Sequence, residues 1–361
     1  MTSLKSDWLL SAPVSATNAK ADTPLFPFLS RLIRGEDLNA GKAAAFFSEL
    51  TSVNANPAQI AASLAALTAK GETPSELAGM ASLMRSQMIK IKATGKTTVD
   101  ITGTGSSAAK TFNVSTAAAL VAAGAGLTVA KQSNRGVTSL TGSADVLGEL
   151  GVKVAGEPAV AQTALSGAGL CFLFAPKFHP ELRRVGEIRS NLGIRTCLNV
   201  LGLLANPAAP TRQLIGVWHR SLVEPVANAL ALLKTEQAWV VHGEDGLDEI
   251  TLAGKTFVGV VTDGDVKSFT ISPADFGLKS NSIDHLKTNS PKESARIIRE
   301  VLASRRRDEA RSLIVINAAA ALVLGGFARD PMHAARLAEQ SIDSGQAQNK
   351  LDRLIQVTNK K

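Results

Sequence analysis

The chain has 361 residues, beyond the roughly 250–300 at which a single hydrophobic core stops growing, so two domains, or one with a helical annex, are expected. With 45% hydrophobic and 19% charged residues it has the composition of a soluble globular protein and excludes long disorder. Aromatics at 4% and the absence of tyrosine weigh against reading nucleic acid by base stacking, while 39 Lys and Arg against 31 Asp and Glu favour an anionic partner, whether metabolite or polymer.

Cys171 and Cys197 are too few for a disulfide framework or a four-thiolate zinc site, so a reducing, cytoplasmic setting is expected, with both thiols serving as packing. Residues 1–24 read as a loose leader, since Lys5 and Asp7 precede 8–10 and no apolar secretory run follows. The longest apolar stretches, 313–316 and 318–324, are split by Asn317 and fall short of the ~20 residues a membrane span needs.

Residues 25–94 read as a small helical domain. Asn56-Pro57 supplies a cap with proline at the first helical position, and Ile60, Leu64 and Leu67 follow on one face. Thr73-Pro74-Ser75-Glu76 is a capping box. The pattern changes at Gly95. A β-branched strand at 98–102, a glycine-rich loop, an alanine-rich helix at 115–124 and a second strand at 127–130 make a βαβ unit, hence a parallel sheet under helices. Further strands are expected at 170–174, 238–241, 249–252 and 266–271, with helices between them and at 313–324 and 332–344. Residues 180–204 read as helical and are a candidate to pack back on the helical domain. The expected fold is therefore α/β: a small all-α N-terminal domain, then a larger α/β domain at 95–361 with a mainly parallel central sheet.

Four stretches carry candidate chemistry. From Asp100 through Gly103 and Gly105 to Asn113, Ser115 and Thr116, the sequence runs strand, glycine turn, then hydroxyl and amide side chains at a helix start. Helix amino termini offer free N–H groups and a positive dipole end, so this suits phosphate, although a tight βα turn with an ordinary cap reads the same way. A dinucleotide fold is disfavoured, because Lys131 stands where an acid for a ribose hydroxyl is expected, and no Gly-Lys-Ser/Thr follows the loop. The run Lys131 to Ser139, read as leaving the second strand, combines two cations with hydroxyls, and Gly142-Ser143-Ala144-Asp145 opens another helix. Glu244, Asp245, Asp248 and Glu249 put four carboxylates in six residues of a basic chain, a set suited to magnesium held jointly with substrate phosphates or to a plain acidic surface turn. His242 has no spaced His or Cys partner and reads as structural. Arg183, Arg184, Arg189 and Arg195 follow a proline-stiffened turn, and an arginine there can grip a planar carboxylate. Arg305 to Arg307, mixed with acids, read as a solvated helix face.

Taken in order, the Gly-Thr-Gly loop, Thr111-Phe-Asn-Val-Ser-Thr116, Lys131-x-x-Asn-Arg135, Gly142-Ser-Ala-Asp145, Phe174-Ala-Pro176, Arg189-x-x-Leu-Gly-x-Arg-Thr196 and Asp245-Gly-Leu-Asp-Glu249 closely resemble the anthranilate phosphoribosyltransferase family, from about Leu29 to the end. The resemblance implies a helical domain on an α/β domain, a homodimer formed through the helical part, and tryptophan biosynthesis by transfer of phosphoribosyl from 5-phosphoribosyl 1-diphosphate to anthranilate. It places the donor among Gly103, Ser106, Ser107, Thr111, Asn113, Val114, Ser115, Thr116, Lys131, Gln132, Ser133, Asn134, Arg135, Gly136, Val137, Thr138, Ser139 and Ser143. It places anthranilate against Gly103, Asn134 and Arg189, and Mg2+ at Ser115, Asp248 and Glu249. It implies no dedicated acid or base, so catalysis falls to positioning and the metal, with no membrane or nucleic-acid partner.

Two departures stand out. The family usually has Gly-Asp where this chain has Ser106-Ser107, and Lys-His-Gly-Asn-Arg where it has Lys131-Gln132-Ser133-Asn134-Arg135. They keep two alternatives in view: another aromatic amine as acceptor, or a non-catalytic relative whose basic surface binds nucleic acid in a salt-dependent way.

Overall fold

A computed structural model of the chain describes residues 23–93, 95, 97–105, 109–136, 141–154, 156–288 and 290–360. The chain opens with helices α1 (Phe26–Ile33), α2 (Ala40–Thr51), α3 (Pro57–Lys70) and α4 (Pro74–Gln87). Side chains start the last three: Asn39 accepts from the Lys42 amide, Asn56 from that of Ala58, and Thr73 from that of Glu76. Glu76 returns the bond to the Thr73 amide at 2.8 Å and also receives the Leu38 amide and Lys70 Nζ, both at 2.9 Å. One fully buried carboxylate thus caps α4 and ties the α1–α2 connection to it. Glu76→Ala is expected to cost about 3 kcal/mol in denaturant melts, because it leaves buried donors without their charged acceptor. A loss under about 1 kcal/mol would show the carboxylate to be idle.

The rest of the chain alternates strands and helices. β1 (Val99–Gly103), α5 (Val114–Gly124) and β2 (Val129–Ser133) form the expected βαβ unit. There follow α6 (Ser143–Glu149), α7 (Pro158–Ala168), β3 (Leu170–Phe174), α8 (Ala175–Phe178), α9 (Arg183–Leu192), α10 (Leu198–Leu204) and β4 (Arg212–Gly216). The chain ends with α11 (Val223–Leu232), β5 (Gln237–Gly243), β6 (Thr256–Thr262), β7 (Asp265–Ile271), α12 (Pro291–Leu302), α13 (Glu309–Leu324), α14 (Pro331–Asp343) and α15 (Gln346–Thr358). The sheet order is β3-β2-β1-β4-β5-β6-β7, parallel through β5, with β6 and β7 added antiparallel.

Side-chain alternation along the strands feeds two cores. Ile101, Leu214 and Val258 face one core with α5 and α13, whereas Ile215, Val240 and Val261 face another with α11 and the N-terminal helices. Helix α9 packs on α2 and α3, and α10 on α4, with Arg184 donating to the Ala55 carbonyl at 2.7 Å.

Several expectations need correction. Residues 249–252 are not a strand: the N–H and C=O of Ile250 pair with the side chain of Asn317, both at 2.9 Å, instead of with a neighbouring strand. β4, β6 and α15 were not anticipated. For β6 the signal was the Asp263-Gly264 pair after a β-branched run, both at positive φ in a hairpin turn. The helix expected over 180–204 is broken at Gly193, which ends α9 in the left-handed conformation. Arg305 to Arg307 lie in the turn between α12 and α13 rather than on a helix face; Arg306 pairs with Asp308 and Arg307 with Asp343. Cys171 and Cys197 are free and buried. Among the described residues no helix is long and apolar enough to cross a membrane.

Candidate functional site

Strand β1 is followed by β2 on one side, while the later β4 pairs on its other side, and ligands of open α/β sheets bind at the carboxyl end of such a switch point. A cleft of about 730 Å³ opens there. One lip is 103–105 after β1, the other 133–135 after β2. The amino terminus of α5 and the segment 248–249 form the floor, and Met84, Arg189, Leu198 and Gly202 stand in the wall.

The acidic pair is built into this floor by main chain. Asp248 Oδ2 accepts from Thr104 Oγ1 at 2.8 Å and from the Gly105 amide at 2.7 Å, so it also holds the glycine loop. Gly216 makes its approach possible, since a Cβ at that position would lie 1.7 Å from the Asp248 carbonyl oxygen. Glu249 Oε1 accepts from the Ser115 amide at 3.2 Å, at the positive end of α5. Burial, and then the Asp248 charge, push the Glu249 carboxyl up to about 8, against the pull of Lys131 and Ser115. Two crowded carboxylates with a hydroxyl beside them offer oxygen donors only, the set a hard cation takes. Among the described residues no three His, Cys, Asp or Glu side chains cluster as a metal cage. Magnesium is commonly held by one or two carboxylates together with substrate oxygens, and the donors of Asp248, Glu249 and Ser115 suit that arrangement.

The other lip is hooked in place by the Gly-Ser-Ala-Asp turn. The amides of Gly136 and Gly142 both donate to Asp145 Oδ2 at 3.1 Å, and Ser143 Oγ meets Ser133 Oγ at 3.1 Å and the Asn134 amide at 3.2 Å. Only glycine fits at 142, where a Cβ would sit 2.2 Å from the Gly136 nitrogen. In the wall Arg189 is half-buried, its Nε without a partner among the described residues, and burial holds its guanidinium below the usual arginine range. Gln132 is 7% exposed, and its Oε1 likewise finds no partner there.

Of the anticipated site residues, Gly103, Thr111, Asn113, Ser115, Lys131, Gln132, Ser133, Asn134, Arg135, Ser143, Arg189, Asp248 and Glu249 line this one cleft. The side chains of Val114 and Thr116 are not among its lining: both are buried in a helix that is enclosed on nearly all sides. Gly136 is exposed outside it and serves the hook. Ser106, Ser107, Val137, Thr138 and Ser139 lie outside the described residues. Lys131, Gln132 and Ser133 belong to β2 itself rather than to a solvated loop, and Lys131 is buried, donating to the Ile101 carbonyl at 2.6 Å. Glu244 and Asp245 turn away to Lys255 and Thr251, and His242 contacts the Val217 carbonyl at 2.8 Å. Sequence reasoning missed Thr104, Gly216, Asn317 and the wall residues Met84, Leu198 and Gly202. Apart from Thr104, inside the Gly-Thr-Gly motif, these had no local signal.

Known proteins place this cleft in a family. The model described as "Glycosyl transferase family, a/b domain" matches residues 95–348, and "Glycosyl transferase family, helical bundle domain" matches 26–88. An anthranilate phosphoribosyltransferase of Desulfosudis oleivorans is 45% identical over 330 residues, covering 91% of this chain and 97% of that protein. One of Xanthobacter autotrophicus is 41% identical over 92% and 96%. The crystal structure of anthranilate phosphoribosyltransferase from Thermus thermophilus superposes with a TM-score of 0.86 at 34% identity, over 92% of this chain and 99% of that one. The Saccharomyces cerevisiae enzyme in complex with PRPP and Mg superposes at 0.85 with 27% identity, over 93% and 98%. Sequence and fold, a helical bundle on a mostly parallel sheet, are thus shared with these relatives across nearly their whole length, and the chain belongs to the anthranilate phosphoribosyltransferase family.

Proposed function

We propose that the protein transfers phosphoribosyl from 5-phosphoribosyl 1-diphosphate to anthranilate, releasing diphosphate, as a step of tryptophan biosynthesis. The observation that carries this reading is the convergence of Asp248, Glu249 and the Ser115 amide on the floor of a cleft whose lip is the Gly103–Gly105 loop and whose wall holds Arg189. The diphosphate would lie against the α5 amino terminus and Asn113, which Ser294 fixes from both sides through bonds of 2.9 and 3.0 Å. Ser115, Asp248 and Glu249 would hold magnesium, whose contribution when bound is to neutralise the departing diphosphate. Asn134 and Gly103 would face the acceptor ring, and Arg189 would take its carboxylate. The amine lone pair then forms the bond to C1 of the ribose with inversion. The C1–O bond breaks, its electron pair leaves with diphosphate, and the amine proton goes to solvent. Positioning carries the rate, so no side chain is assigned as acid or base.

A coupled assay with purified protein, both substrates and magnesium tests this: product above a no-enzyme blank is expected. No product, together with no donor binding by calorimetry, would falsify it. Arg189→Lys, which loses the planar fork, should raise the anthranilate KM by roughly 10- to 100-fold while leaving donor affinity unchanged. Equal losses in both would remove Arg189 from the acceptor side.

Burial and the neighbouring Asp248 charge raise the Glu249 carboxyl, so it holds a proton at higher pH than an ordinary glutamate does before metal binds. Magnesium competes with that proton, so its affinity should rise with pH by up to roughly tenfold per unit and level off above about pH 8. Magnesium-dependent donor binding measured between about pH 6 and 9 checks this, and a flat profile removes Glu249 from the metal site.

A second reading keeps the donor and changes the acceptor, favoured by the unpartnered Oε1 of Gln132 in the cleft. It requires some substituted or heteroaromatic amine to exceed anthranilate in kcat/KM. We further propose a homodimer through the helical part: Phe26 and Ile33, seven apart on α1, are 37% and 52% exposed. Sedimentation should give about twice the chain mass of 37.6 kDa.

A further inference from the structure

The parallel sheet has one irregular seam. β1–β4, β2–β3 and β4–β5 are each registered over five residues, whereas β1 and β2 pair only at Val99 and Val129. Beyond that point three buried side chains take over the ladder. Lys131 Nζ donates to the Ile101 carbonyl at 2.6 Å, and the Gln132 amide donates to Asp100 Oδ1 at 3.3 Å. Asn206 Nδ2 donates to both the Ala130 carbonyl and Asp100 Oδ2 at 2.8 Å, and its Oδ1 receives the Ala208 amide at 2.8 Å. Asp100 is fully buried, with Lys131 2% and Asn206 3% exposed.

Buried main-chain groups need partners, and in a sheet the cheapest partner is the next strand. Here side chains serve instead, along strands that still run side by side to their carboxyl ends. Those ends carry the two lips of the cleft, Gly103–Gly105 and Ser133–Arg135. Burying a carboxylate for stability alone is a poor device, since desolvation opposes it and pushes Asp100 up to about 6.

We propose that Asp100, Asn206 and Lys131 act as a staple that replaces the β1–β2 ladder beneath the cleft, making them positioning residues for both of its lips. The claim about the lips is independent of the reaction; the claim about donor binding rests on the proposed function.

Asp100→Asn keeps one acceptor and removes the charge, and Asn206→Ala removes the amide without changing charge. In the ligand-free protein, both should speed hydrogen exchange of the amides at 132–136 and 104–105 by about tenfold or more, while β4 and β5 keep wild-type rates. Calorimetric titration with 5-phosphoribosyl 1-diphosphate and magnesium should show affinity weaker by about tenfold or more in both variants. The sign is diagnostic, because removing a negative charge near an anionic ligand would by itself strengthen binding. Wild-type exchange at the lips, or an increase spread evenly over the sheet, overturns the staple. So does loss of the cooperative melt in both variants, which would assign the network to global stability. Unchanged donor affinity in a variant with loosened lips overturns the binding role. Wild-type protein that binds no donor removes the functional reading instead, and the exchange arm still decides the staple.

Discussion

Asp248→Ala is expected to lower the magnesium-dependent transfer rate by roughly 100- to 1000-fold, the scale on which removing one preorganised electrostatic contact to a reacting centre is felt. Two effects combine. The carboxylate is one of two in the cleft floor, and its Oδ2 also anchors Thr104 Oγ1 and the Gly105 amide, so the glycine loop loosens as the charge disappears. Asp248→Asn separates the two, since an amide oxygen of the same shape can still receive the Gly105 N–H but carries no charge. The charge argument expects Asn to be nearly as damaging as Ala in rate, with the thermal transition closer to wild type. Removing the Asp248 charge also relieves the repulsion on Glu249, whose carboxyl should return toward its ordinary range. A rate within threefold of wild type at saturating magnesium would take Asp248 out of the metal site.

Gly216→Ala should be the most damaging single-methyl change in the sheet, because the new Cβ would lie 1.7 Å from the Asp248 carbonyl oxygen and 2.5 Å from its carbon. Main chain cannot swing aside as a side-chain tip can, so β4 and the 248–249 segment must separate. The expected loss is about 1–3 kcal/mol of stability, read by denaturant melts, with magnesium-dependent donor binding falling more than stability does. Gly148→Ala is the control. That glycine lies in α6 with open space around its would-be Cβ, and the same methyl there should stabilise by up to about 1 kcal/mol. If Gly216→Ala binds donor and metal like wild type, the acidic pair does not depend on the close strand contact described here.

Much of the site was legible because its parts are local in sequence. The Gly-Thr-Gly turn, the hydroxyls before α5 and the adjacent pair Asp248-Glu249 each announce themselves within a few residues, through backbone geometry, capping and like-charge crowding. The same locality does not show which side chains at a helix start are buried, as those of Val114 and Thr116 are. The carboxylate run was overcounted in the same way, since Glu244 and Asp245 are used up by the turn they sit in. Residues 249–252 look like a strand by composition and are instead held by a helix side chain 67 positions away.

By itself the sequence determined the class of the fold, a helical bundle followed by a mostly parallel sheet, and the chemistry available at its strand ends. Periodicity, caps and glycine turns are short-range properties, and they are written in order along the chain. Only the tertiary structure decided that Gly216 underlies Asp248, that Asn317 clamps Ile250, and that Asp100 and Asn206 take the place of ladder bonds between β1 and β2. Those contacts join residues from 32 to 106 positions apart, and each depends on close packing between elements whose adjacency no local pattern encodes.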